Sequence, residues 1–169
     1  MTRVAREMTV SGAAEDTLAA IGDPRILASA LGLMLDPNDR LRPLVTQELD
    51  LPFLGRQTQE AHVQVEPPAG GDSPELRVTS RGPLVSYSAV CTVQTRDAVV
   101  RATLALECEA DPALVERAMN ELRSRSPLPF RTDADAILRR AVLDAFDEHV
   151  ARTAESWATA VSARLAGSA

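Results

Sequence analysis

The chain has 169 residues, a net charge of −6, 45% hydrophobic and 25% charged residues, which fits one globular domain. The acidic balance argues against general binding to nucleic acid or anionic membranes. All 18 basic residues are arginine, so Schiff-base lysine and P-loop lysine chemistry are excluded.

The start, MTRVAREMTV, has no apolar core of a signal peptide, and no run approaches the ~18 apolar residues of a membrane span. A cytoplasmic location is the default expectation. In the first segment Val4, Arg6, Met8 and Val10 alternate with Arg3, Ala5, Glu7 and Thr9, a strand pattern. Ser11 is placed to cap a short helix ending near Ile21. GDPRILASALGLML follows, with Asp23 as N-cap and Pro24 at the first helical position, where its missing N–H costs nothing.

From Arg42 to Ala110 the period becomes two. Val45, Gln47, Leu49 and Leu51 share one parity, and Pro52 and Gly55 mark a turn. Ala61, Val63 and Val65 carry the next strand, which leaves His62 facing solvent. PPAGGDSP reads as a loop. Leu76, Val78 and Ser80 form a short strand, and RGPL turns it, with Gly82 expected to supply unusual backbone angles. Val85, Tyr87, Ala89, Cys91 and Val93 are the inward set of the next strand. Val100, Ala102, Leu104, Leu106 and Cys108 are that of the last. If Arg96 and Asp97 form the turn, Cys91 faces Ala102 and Val93 faces Val100. If Gly82 and Pro83 turn the earlier hairpin, Val85 faces Ser80 and Ala89 faces Leu76. Cys108 would then oppose Val85, roughly 20 Å from Cys91, too far for a disulfide. Both thiols are expected reduced on the inner face.

Asp111 caps a helix opened by Pro112 and ending near Arg123. Thr132 with Asp135 resembles a capping box, and the final helix runs to about Leu165. On a helical wheel centred on Phe146, Val142, Val150, Thr153, Trp157 and Val161 share one stripe, and His149 lies at its edge. Asp135, Arg139 and Arg164 fall near the ends of the stripe, and Asp135 is spaced to pair with Arg139. At ~1.5 Å per residue the helix is roughly 50 Å long, enough to cross several strands.

This order of elements resembles the helix-grip (START-like, polyketide cyclase-like, SRPBCC) superfamily, and within it an uncharacterised bacterial family of the Deinococcus type. The resemblance lies in element order over nearly the whole chain, not in a motif. It implies an α+β domain spanning residues 1–169: a curved antiparallel sheet of six or seven strands gripping a long C-terminal helix, with two short helices after the first strand. Six strands are legible, and a seventh would hide in residues 51–66. The helix after Pro112 reads as an insertion. The resemblance also implies a hydrophobic cavity between sheet and helix. By topology its wall is Tyr87, Cys91, Leu104, Leu106, Phe146, Val150, Thr153 and Trp157, with Asp135, Arg139 and His149 at its mouth.

No Ser/His/Asp set, carboxylate pair, phosphate loop or metal-ligand spacing stands out, and no cofactor is implied. Only five residues are aromatic, fewer than a roomy ligand pocket usually uses. The leading expectation is a non-catalytic carrier or sensor of a small hydrophobic molecule (lipid, polyketide or aromatic). A cyclase- or aromatase-like enzyme using Tyr87 or His149 is the alternative. A third reading is a partner-binding or structural module, with a homodimer allowed, for which an exposed apolar stripe on residues 133–145 would speak. A void above ~300 Å³ between sheet and helix would favour a ligand site; scattered small voids would favour plain packing.

Overall fold

The computed structural model describes residues 1–10, 13–34, 44–69, 74–96, 99–125 and 133–167. Strand β1 (Thr2–Val10) is followed by helices α1 (Ala14–Ile21) and α2 (Pro24–Leu31). Strands β2 (Leu33–Met34), β3 (Leu44–Leu51), β4 (Gly55–Ala69), β5 (Glu75–Arg81), β6 (Val85–Arg96) and β7 (Val99–Ala110) come next, then α3 (Pro112–Arg125) and α4 (Ala134–Ala166). The strands form one antiparallel sheet in the order β1-β7-β6-β5-β4-β3-β2. The α+β architecture expected from the sequence is therefore present, with seven strands among the described residues.

The seventh strand is not within residues 51–66. It is β2, which the sequence pattern had merged into the second helix. Asp23 accepts a hydrogen bond from the Arg25 N–H and caps α2 as expected. The helix then ends at Gly32, whose φ is +67° and whose missing Cβ would lie 2.1 Å from the Glu48 carbonyl oxygen. Only glycine meets both demands, and the chain emerges paired to β3, Leu33 opposite Gln47. Strand β4 is longer than expected, running through Pro67 and Pro68 with a shift of register between Glu66 and Ala69. Helix α1 starts after Ala13, while Ser11, its expected cap, lies outside the described residues. So does Thr132, half of the expected capping box; Asp133 takes the cap position of α4.

The six strands legible in the sequence keep their expected parity, but two registers differ. Cys91 faces Leu104 and Val93 faces Ala102, because Arg96 still pairs with Val99. In the preceding hairpin Leu76 faces Cys91 and Ser80 faces Tyr87. Each is a two-residue slip, which keeps every side chain on its face. Cys108 accordingly faces Tyr87, not Val85. It stands four residues from Cys91's partner Leu104 along β7, roughly 14 Å, and both cysteines are buried and free.

Gly82 has no positive φ, contrary to expectation. Its role is spatial: a Cβ there would lie 2.3 Å from the side chain of Gln59. Gln59 is buried, and its Oε1 accepts from the N–H groups of Leu84 and Val85 at 2.9 and 3.1 Å. Its Nε2 donates to Gln47 Oε1 and to the Val85 carbonyl. Gln47 in turn donates to the Leu31 carbonyl at 2.7 Å, and Ser80 donates to Gln47 Oε1. This network ties the start of β6 to β4, β3 and the end of α2. Each amide is satisfied by several partners, as burial demands.

Helix α4 lies against β1 and β7 and touches α1, α2 and α3. Leu138, Val142, Phe146, Val150, Ala154, Trp157, Val161 and Leu165 are its buried residues, recurring every four residues with one step of three, as an apolar helix face requires. Thr2 donates to Asp147 at 2.5 Å and pins the start of β1 to the helix. No helix is long and apolar enough to cross a membrane among the described residues.

Candidate functional site

Two of the polar residues singled out from the sequence meet. The Tyr87 hydroxyl, on the inner face of β6, lies 3.1 Å from His149 Nε2 on α4. Tyr87 reaches the helix because it stands at an inward position of a central strand. His149 meets it from the edge of the helix stripe. Beside the phenol lies the Cys108 thiol, directly across the ladder. The three side chains thus string together from β7 through β6 to α4.

Burial keeps all three neutral. It is the main cause raising the phenol above its ordinary value, with Cys108 adding to it. Burial pushes the Cys91 and Cys108 thiols up to about 12. It also lowers His149, aided by the Arg152 charge and opposed by Asp50. At neutral pH the phenol and Nε2 of the neutral imidazole share one hydrogen bond, whose direction follows the imidazole tautomer. Neither thiol is an available nucleophile.

A recess of about 160 Å³ opens at one end of the α4–sheet interface. Its apolar wall includes Ala110, Val115, Leu143 and Phe146, and its polar groups are Thr2, Cys108, Glu116 and Arg139. Cys108 belongs to both the recess and the polar string, while Tyr87 and His149 do not line the recess. Arg139 holds Glu116 at 3.8 Å across the opening. A second recess of about 200 Å³ lies over Thr79, Ser86, Ser88, Glu107 and Glu109, and Tyr87 and Cys108 also belong to its lining. Both volumes fall below the ~300 Å³ of ordinary ligand pockets; the first matches the ~150 Å³ that holds a single benzene ring.

The other expected wall residues divide sharply. Phe146 lines the recess. Leu104, Leu106, Val150 and Trp157 are 0% exposed, so no water-sized space adjoins them, and Cys91 is 1% exposed. A ligand could touch these only if α4 moved away from the sheet. Among the described residues, the Trp157 Nε1–H has no hydrogen-bond partner. Thr153 bonds back to the His149 carbonyl at 3.0 Å, the usual use of a helical threonine. Of the mouth residues, Arg139 does border the recess, and Asp135 does not. Asp135 pairs with Arg123 of α3 at 2.6 Å rather than with Arg139, because α3 supplies a closer cation than the helix's own next turn. His62 is exposed, as its parity requires. On residues 133–145, Ile137 and Leu143 are exposed, with buried Leu138 and Val142 beside them.

Sequence reasoning missed the glutamine network, although Gln47 stood visibly at an inward position among Val45, Leu49 and Leu51. It also missed Val115, Glu116 and Leu143, whose place depends on how α3 docks.

No family model matches the chain, and no curated protein does. Among solved structures, the chain is similar to the di-domain ARO/CYC StfQ from the steffimycin biosynthetic pathway (13% identity, TM-score 0.46), covering 98% of this chain and 52% of that one. It is similar to TTHA0849 from Thermus thermophilus (14% identity, TM-score 0.46, 99% of each chain). It is also similar to DR_A0006 from Deinococcus radiodurans (18% identity, TM-score 0.44, 75% of this chain and 95% of that one). Likeness at this level establishes neither family nor function.

Proposed function

We propose that the protein binds a small hydrophobic molecule, of single-ring or short-chain size, that carries one hydrogen-bonding group. The apolar part occupies the recess at Val115, Leu143 and Phe146. The polar group reaches toward the Cys108–Tyr87–His149 string. The observation that carries this reading is Cys108's place in both the recess and the string. It gives an apolar pocket with few convergent polar groups, the usual composition of a small-molecule site. The neutral thiols and the neutral imidazole favour binding without covalent chemistry.

The test is ligand-observed NMR with a panel of phenols, benzyl alcohols and short fatty alcohols. Binding is expected in the wild type and should be lost in Leu143→Trp, which fills the recess from its exposed rim. No binding by any class, or equal binding by the variant, would refute the site.

The 3.1 Å Tyr87–His149 bond also favours a second reading, an enzyme in which this pair exchanges a proton with substrate. His149→Ala and Tyr87→Phe variants separate the two. Enzyme action requires turnover to collapse in both, whereas simple binding requires only a modest change in affinity.

A further inference from the structure

The two edges of the sheet are built differently. The β2 edge is two residues long, and very short edges resist pairing with other chains. The β1 edge is nine residues long and pairs with β7 without a register break. It contains no proline. Among the described residues, no backbone hydrogen bond from a loop or cap reaches residues 2–10. Its inner residues Thr2, Val4 and Arg6 are only half-buried, whereas the neighbouring Leu104 and Leu106 of β7 are 0% exposed. The outward-facing Arg3, Ala5, Glu7 and Thr9 are all exposed. The rim therefore offers a long row of backbone donors and acceptors, with the Ala5 carbonyl covered by the neighbouring Arg6 guanidinium at 3.1 Å, which pairing would displace.

The charges on this rim choose a partner and a register. A two-fold axis at Arg3 would set Arg3 against its own copy. An axis at Arg6 or Glu7 would likewise oppose like charges. An axis at Val4 pairs no charges on either face. An axis at Ala5 sets Arg3 against Glu7 of the other copy twice, with the small Ala5 side chains meeting at the centre. Arg3 already leans on Glu107 at 3.4 Å but is 68% exposed in its side chain. Glu7 has no ion-pair partner among the described residues. We propose that two copies of this chain associate through antiparallel pairing of their β1 strands about a two-fold axis at Ala5, joining the two sheets into one. Self-complementary pairing of this kind is what a two-fold interface requires.

The test is sedimentation equilibrium of the full chain with charge exchange. Arg3→Glu and Glu7→Arg should each weaken dimerisation about tenfold or more, because each turns two attractive cross-strand pairs into repulsive ones. The double variant should restore it. Both sites are exposed on the outer face, so circular dichroism should report an unchanged fold. In Ala5→Cys, the substituted positions of the two copies would lie about 5 Å apart. Under oxidation or with a short bis-thiol reagent, that variant should give a covalent dimer, the two native thiols being buried. A strict monomer at all concentrations would overturn the proposal. So would a dimer indifferent to both charge reversals, or one that fails to cross-link through position 5.

Discussion

The two halves of α4 treat the sheet differently. From Val150 to Val161 the helix is sealed: Val150, Ala154, Trp157 and Val161 are 0% exposed. From Leu138 to His149 the inner stripe is also buried, Val142 fully so, but Arg139, Leu143 and Phe146 border an open recess. The difference follows from what each half meets. Alanine at 154 lets the sealed half approach closely, and Trp157 fills the space that remains. The looser half meets α3 and the beginning of β1, where Pro112 and Thr2 leave a gap. One half supplies stability and the other supplies room.

That contrast is most easily broken at Trp157. Trp157→Ala should destabilise by about 3–5 kcal/mol, since a large cavity opens in a sealed region, read by urea unfolding. Leu143→Ala, at the open end, should cost well under half as much. Equal losses would erase the distinction. Next in size is the glutamine network. Gln59→Leu should cost about 2–3 kcal/mol, because it strands the Leu84 and Val85 N–H groups and leaves Gln47 Oε1 with only the longer Ser80 bond. A loss below ~1 kcal/mol would mean water replaces the side chain. Tyr87→Phe should cost only about 1 kcal/mol, the worth of a single hydrogen bond, measured the same way.

The smallest effect concerns pH. His149 has a folded-state pKa below its ordinary 6.5, so the unfolded chain takes up the proton first as pH falls. Its contribution to stability is complete above the ordinary value and is lost as pH drops through the lower, folded one. His149→Gln should therefore show a shallower fall in melting temperature between roughly pH 7 and 5 than the wild type. A steeper fall would reverse the assignment.

Much of the architecture was legible because alternation survives errors in register. A two-residue slip moved Cys91 from Ala102 to Leu104 without turning it outward. Turn length has no comparable signal, so the slip itself was invisible. Strand β2 escaped notice because two residues show no period, and its only cue was Gly32 ending the helix. At the site, Tyr87 and His149 were each recognisable as polar groups near the inner face. Their meeting was not, since it depends jointly on sheet register and on the rotation of α4. The Asp135–Arg139 expectation failed for a related reason: spacing within one helix cannot foresee a competing arginine from another. Leu104, Leu106 and Val150 were assigned to the inner face correctly, but side-chain sequence cannot tell a wall from a filled core.

The most direct measurement is methyl and amide chemical-shift mapping of the protein titrated with a ligand identified from the phenol and alcohol panel. The two-halves account predicts shifts at Thr2, Val115, Leu143 and Phe146, extending to the Tyr87 and His149 signals, with Val161, Leu104 and the Trp157 indole unmoved. Shifts centred on Trp157 and Leu104 would contradict it, because they would place the ligand where the helix and sheet are sealed.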